Sequence, residues 1–118
     1  MTDSESRVGM VGGCLCGQLR YEASELIDAG YCHCRLCQRS SGAPVLAWAT
    51  LVTESFVYIK GQAAVYSSSE SGSREFCAQC GTQILFRDAR SPDRVDALVW
   101  AVTDLMLADG HAPSARFV

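Results

Sequence analysis

Polar and apolar residues alternate along Gln18–Ala23, with Leu19, Tyr21 and Ala23 in one register and Gln18, Arg20 and Glu22 in the other. That period of two predicts a half-buried strand. Val45 to Val52 is different: apolar residues occupy both registers, which predicts a strand buried on both faces. Phe56–Ile59 predicts another strand, ending at the turn signal Lys60–Gly61, and Ala63–Tyr66 a short one after it. Thr82–Phe86 and Val95–Val102 complete the set. Gln38–Ser41 suits a short helical turn, which Gly42 and Pro44 would stop. Residues 24–30 read as a connection, and the serine-rich Ser67–Ser73 as a solvated loop leading to Arg74–Phe76. Short strands separated by glycine-rich turns predict a mainly β fold with antiparallel pairing and little helix. Residues 1–8 are expected to form a flexible tail, and 9–118 a single domain.

Charge narrows the function classes. The net charge is −3 and the isoelectric point about 5.2, with no run of basic residues, which argues against nucleic-acid and anionic-membrane partners. The longest apolar stretch, Ala43–Val52, is too short to span a bilayer. Met1–Arg7 lacks the basic and apolar regions of a secretory signal. The expectation is a soluble cytoplasmic protein, in a compartment that keeps thiols reduced and so favours metal binding over disulfides.

Seven cysteines then dominate the picture, because all of them fall in three tight clusters: Cys14-x-Cys16, Cys32-x-Cys34-x-x-Cys37 and Cys77-x-x-Cys80. Inert buried cysteines have no reason to cluster at these spacings. A closed tetrahedral zinc site takes four ligands, and a catalytic zinc takes three from the protein and keeps one position open. Seven divides into one of each. Cys14, Cys16, Cys77 and Cys80 are assigned to a structural zinc, with Gly81 supplying permissive backbone after the last ligand. Cys32, Cys34 and Cys37 can reach one ion locally and are assigned to a second, open zinc. Two other partitions stay open: ligands shared between the two early clusters, or a histidine, His33 or His111, completing the second site. Three thiolates on Zn²⁺ carry a charge of −1, which Arg35 and Arg39 would offset while attracting carboxylates of a ligand. Trp48 and Tyr58 are candidates for a pocket wall or for the core. No acidic residue or second histidine lies beside the central cluster in sequence to act as a general base.

Three stretches carry a resemblance to a known family: Gly12-Gly13-Cys14-Leu15-Cys16-Gly17-Gln18-Leu19-Arg20-Tyr21, Cys32-His33-Cys34-Arg35-Leu36-Cys37-Gln38-Arg39-Ser40-Ser41-Gly42-Ala43-Pro44, and Phe76-Cys77-Ala78-Gln79-Cys80-Gly81-Thr82. In these the chain resembles the glutathione-dependent formaldehyde-activating enzymes, a family that includes the domain of centromere protein V. The resemblance implies a zinc-containing β-tent fold, similar to that of methionine sulfoxide reductase B. It implies two zinc ions per chain, with the same four-plus-three partition of cysteines. The activity it implies is that of a carbon–sulfur lyase, joining glutathione to formaldehyde as S-(hydroxymethyl)glutathione. Cys32, Cys34 and Cys37 match the family's catalytic positions. The chain departs from the family's usual C-terminal segment at Asp104–Val118, which leaves room for a second subunit in a homo-oligomer. The alternative to an enzyme is a non-catalytic zinc-stabilised binding module or a glutathione carrier with the same cysteines.

Overall fold

The computed structural model describes residues 10–98. The expected tail at 1–8, the end of the last predicted strand after Leu98, the C-terminal departure and His111 lie outside the described residues. Two antiparallel sheets make up the fold. The smaller has the order β1 (Met10–Gly13), β2 (Arg20–Ala23), β5 (Val57–Lys60). The larger has the order β3 (Leu26–Cys32), β4 (Leu46–Val52), β9 (Arg94–Leu98), β8 (Gln83–Asp88), β7 (Gly72–Phe76), β6 (Ala64–Ser67). The helical elements among the described residues are α1 (Arg35–Ser41) and a 3-10 turn at Thr53–Ser55. This is the mainly β, helix-poor architecture that the hydrophobic pattern predicts. No helix among the described residues is long and apolar enough to cross a membrane.

The two faces of the larger sheet have separate tasks. Successive side chains of a strand point to opposite faces. On β4, Ala47, Ala49 and Leu51 join the main core, as do Val95 and Ala97 of β9. That face packs against Met10, Tyr21 and Ala23 of the small sheet and against Phe56. The Tyr21 and Phe56 rings lie 4.7 Å apart between centroids, and Phe56 meets Tyr58 edge-on at 5.1 Å. The other face presents Leu46 and Trp48 of β4 and Leu98 of β9, which pack beneath α1 around Cys37. The apolar run at Val45–Val52 therefore reads as continuous because both faces are covered, each by a different part of the chain.

Two local expectations are corrected, and one glycine pair acquires a role. Residues 24–30 are not a simple connection: β3 pairs with β4 from Leu26↔Leu51 to Cys32↔Leu46, with a register shift between Leu26 and Asp28. The segment alternates poorly, and its strand state comes from the ladder groups that β4 offers it. Gly12 and Gly13 lie inside β1, where a Cβ on Gly13 would sit 2.2 Å from the Leu19 carbonyl oxygen. Only glycine permits so close an approach of two backbones. The helix begins at Arg35 rather than Gln38, because Cys34 caps it: its sulfur accepts the Cys37 N–H at 3.4 Å. It ends where expected, at Gly42, whose φ of 79° closes the last turn.

Leu51 is fully buried between the two sheets. Leu51→Ala is expected to lower stability by about 2–5 kcal/mol, read as a reduced midpoint in urea unfolding with an unchanged slope.

Candidate metal centres

The turn between β1 and β2 carries Cys14 and Cys16, and the turn between β7 and β8 carries Cys77 and Cys80. The fold brings these turns together, so that all four Sγ atoms lie within 4.8 Å of one another. The Cys14 and Cys16 sulfurs are 3.7 Å apart, and those of Cys16 and Cys77 3.8 Å. These separations are far too long for a disulfide, whose sulfurs bond at about 2.05 Å. Four sulfurs about 2.3 Å from a tetrahedral zinc stand about 3.8 Å apart. The donor set thus fits a thiolate-bound metal in both chemistry and spacing.

Backbone N–H groups are aimed at these sulfurs. Leu19 N–H donates to the Cys14 sulfur at 3.2 Å, and Cys80 N–H to that of Cys77 at 3.5 Å. Gly81 has a φ of 81°, as expected from the sequence, and its N–H returns to the Cys77 carbonyl at 2.8 Å. The Thr82 hydroxyl sits 3.2 Å from the Cys80 sulfur and accepts the Leu15 N–H at 3.2 Å, joining the two turns. The Thr82 hydroxyl and N–H hold the Cys80 thiol down at about 5. Although the Gln18 N–H favours the Cys16 thiolate, burial and the neighbouring sulfurs push that thiol up to about 11. Crowded thiols cannot all ionise without a cation among them, and a bound divalent ion removes that conflict.

Cys32 ends β3, Cys34 caps α1 and Cys37 lies in its first turn. Their sulfurs form a second group, again within 4.8 Å of one another. Burial and the other two sulfurs push Cys37 up to about 12, against the pull of Arg74. Burial also opposes ionisation of Cys34, yet the Cys37 N–H and the neighbouring sulfurs hold that thiol below its ordinary value. No histidine among the described residues joins either group. Counting and geometry therefore divide the cysteines in the same way.

All three cysteines of the second group line a cavity of about 340 Å³. Its floor is one cross-strand row of the large sheet. The pairings Asp28↔Thr50, Thr50↔Asp96, Asp96↔Phe86, Phe86↔Arg74 and Arg74↔Tyr66 run from β3 to β6. Directly opposed residues share a face, and all of the row except Tyr66 reaches this cavity. Arg74 is buried, with guanidinium nitrogens 3.9 and 4.0 Å from the Cys37 sulfur and 3.5 Å from the Ser40 hydroxyl. Its guanidinium carbon stands 5.0 Å above the centre of the Phe86 ring, in cation–π contact. A second cavity of about 450 Å³ shares Leu36 and Arg74 with the first and adds Arg39, Tyr66 and Gln83.

The candidate residues outside the clusters are distributed differently from expectation. Arg35 is exposed on α1 and donates to Gln38 at 3.4 Å, and Arg39 lines only the second cavity. The cation at the three cysteines is Arg74, which sequence adjacency could not indicate. Trp48 lines the first cavity, whereas Tyr58 faces the core and donates its hydroxyl to Glu75 at 2.8 Å. Acidic groups absent from the sequence neighbourhood, Asp28 and Asp96, stand in the cavity wall. The available signal was a lone polar residue in an apolar strand: Asp96 between Val95 and Ala97, Thr50 between Ala49 and Leu51.

The sequence model for the family described as glutathione-dependent formaldehyde-activating enzyme matches residues 9–117. A crystal structure of a Rhodobacter sphaeroides protein is similar with a TM-score of 0.73 and 23% sequence identity, covering 92% of this chain and 100% of that one. At that identity the likeness shows a shared fold. No curated protein matches the chain.

Arg74→Met is expected to weaken metal binding at Cys32, Cys34 and Cys37 and to leave the four-cysteine group unchanged. Cobalt titration followed by thiolate charge-transfer absorption reads both: the weaker of two binding steps should shift by about tenfold, the order of an outer-shell contact.

Proposed function

We propose, from the premise that the chain belongs to the glutathione-dependent formaldehyde-activating enzyme family, that it is a zinc-dependent carbon–sulfur lyase. Its reaction joins glutathione or a related small thiol to formaldehyde or a related aldehyde. The observation that carries this reading is the second cysteine group: three sulfurs within 4.8 Å of one another, on residues that all line a cavity of small-molecule size. In this reading Cys14, Cys16, Cys77 and Cys80 hold a structural zinc. Cys32, Cys34 and Cys37 hold a second, and three protein ligands leave room for one from the cavity. When bound, zinc supplies Lewis acidity and keeps a coordinated thiol deprotonated.

The chain's own residues do the rest. Arg74 offsets the negative charge of the three thiolates from its buried position on β7. The walls formed by Trp48 and Phe86 exclude water and hold the reactants in one orientation, which is where an enzyme gains on a fast solution reaction. The second cavity offers space for the remainder of a thiol ligand. Arg39 in its wall, with Arg35 nearby on α1, would meet carboxylates there. Residues 9–118 acting as one domain, a reducing cytoplasmic setting and a second copy of the chain as partner belong to the same proposal. A carrier that holds the thiol without reacting suits the second cavity equally well, and kinetics separate the two.

Exchange NMR on glutathione with formaldehyde is the test. Zinc-loaded protein should raise the interconversion rate, and Cys34→Ser should return it to the uncatalysed background while the fold survives. Unchanged rates with thiol binding retained would favour the carrier and overturn the lyase reading.

A further inference from the structure

The cavity holds a carboxyl group that the cysteine chemistry does not use. Asp96 lies in the middle of the cross-strand row, between Phe86 of β8 and Thr50 of β4. It is two positions from Leu98, which packs against Cys37. Asp96 also lines the same cavity of about 340 Å³ as Cys32, Cys34 and Cys37. The Thr50 hydroxyl donates to Asp96 Oδ1 at 2.5 Å. Among the described residues Oδ2 has no hydrogen-bond partner, and Asp96 makes no ion pair.

We infer that Asp96 is the proton-transfer residue of this cavity. Its carboxyl protonates the aldehyde oxygen as the thiol sulfur adds, and its carboxylate takes that proton back when the adduct breaks down. The inference rests on the carbon–sulfur lyase reading. The sulfur lone pair of the thiolate forms the new C–S bond, and the π pair of C=O moves to oxygen. That oxygen gains the proton as the Asp96 O–H bond breaks. The thiol proton, lost to solvent on binding, is matched by the one that solvent returns to Asp96.

The surroundings suit a proton that must be both held and released. Among the described residues, the charged and titratable groups that share the cavity with Asp96 are Asp28 from β3, Arg74 from β7, Cys32 at the end of β3, Cys34 at the cap of α1 and Cys37 in α1. Arg94 attracts it along its own strand. Burial raises its carboxyl above the ordinary value, against the Thr50 hydroxyl and Arg94, which both favour the ionised form. Asp28 differs in its contacts: its Oδ1 accepts the Ala29 N–H at 2.8 Å. It also sits at the end of the row.

The experiment measures addition and breakdown rates of the glutathione–formaldehyde adduct against pH, using zinc-loaded full-length protein. In the addition direction the wild-type rate should fall as pH rises through the Asp96 titration, because the acid form is the donor. In the breakdown direction it should fall as pH drops through the same titration. Asp96→Asn should lose about 10²-fold in both directions and lose both of these limbs, with zinc content and thiol affinity retained. Thr50→Val removes a donor that favours the carboxylate, so both limbs should move to higher pH. Carbon-13 NMR of labelled aspartate should show one carboxyl titrating above the others, absent in Asp96→Asn. An Asp96→Asn protein with wild-type rates and limbs overturns the inference and leaves the lyase reading intact. If Asp96→Asn does not fold, Thr50→Val limbs at the wild-type pH overturn it instead. A wild-type protein that does not accelerate the reaction overturns the lyase reading, and this inference with it.

Discussion

Four sulfur atoms from two turns, more than sixty residues apart in sequence, meet within 4.8 Å and link the small sheet to the large one. Cys14 and Cys16 close the β1–β2 hairpin, and Cys77 and Cys80 close the β7–β8 hairpin. Each pair is shaped locally, by N–H···S contacts and by a glycine in the left-handed region after the second cysteine. A metal ion gathering them would fix the separation of the sheets as well as the turns. Loop-closure entropy grows slowly with length, so joining distant turns costs little more than joining near ones. The crowding that makes these thiols reluctant to ionise together is the same feature that makes them strong ligands.

With the small sheet anchored, the large sheet has a covered core face and a second face free for other work. β4 and β9 show the division. Ala49, Leu51, Val95 and Ala97 go to the core, while Trp48, Thr50 and Asp96 go to the cavity and Leu98 packs beside it with Cys37 and Trp48. A shift of one residue in either strand would exchange these sets. The rigid ladder therefore holds the row from Arg74 to Asp28 in place, and the end of β3 and the start of α1 bring the three remaining cysteines to the same cavity. Charge is arranged along the row, with the guanidinium of Arg74 at the Cys37 sulfur and the carboxyl of Asp96 further along the floor. This places cation and acid on opposite sides of the Phe86 ring, where neither neutralises the other.

The clearest sequence signals were those whose cause is local. A period of two along Gln18–Ala23 identifies β2, and a Cys-x-x-Cys-Gly run specifies its own turn, down to the positive φ of Gly81. The spacing of Cys32, Cys34 and Cys37 brings three sulfurs together without help from the rest of the chain. Hence the mainly β class and the grouping of all seven cysteines were readable before any tertiary contact was known. Local pattern failed where a neighbour decides the outcome. Leu26–Cys32 alternates too weakly to announce a strand and becomes one because β4 presents an unpaired edge to it. Arg35 and Arg39 stood beside the cysteines in sequence, yet Arg35 is exposed and Arg39 lines only the second cavity, and the described cation at the Cys37 sulfur comes from β7.

What the sequence alone determined, then, is the ligand chemistry: seven thiols in short spacings that chain geometry converts directly into two groups. The tertiary structure decided what surrounds them. Arg74, Phe86, Asp96, Thr50 and Asp28 are scattered from position 28 to position 96 and share no motif. They become neighbours only through the register of five adjacent strands, a long-range property set by which faces must be buried. The capacity to gather metal-binding thiols is thus written in local spacing, whereas the cavity around the second cysteine group depends on the pairing of the whole sheet.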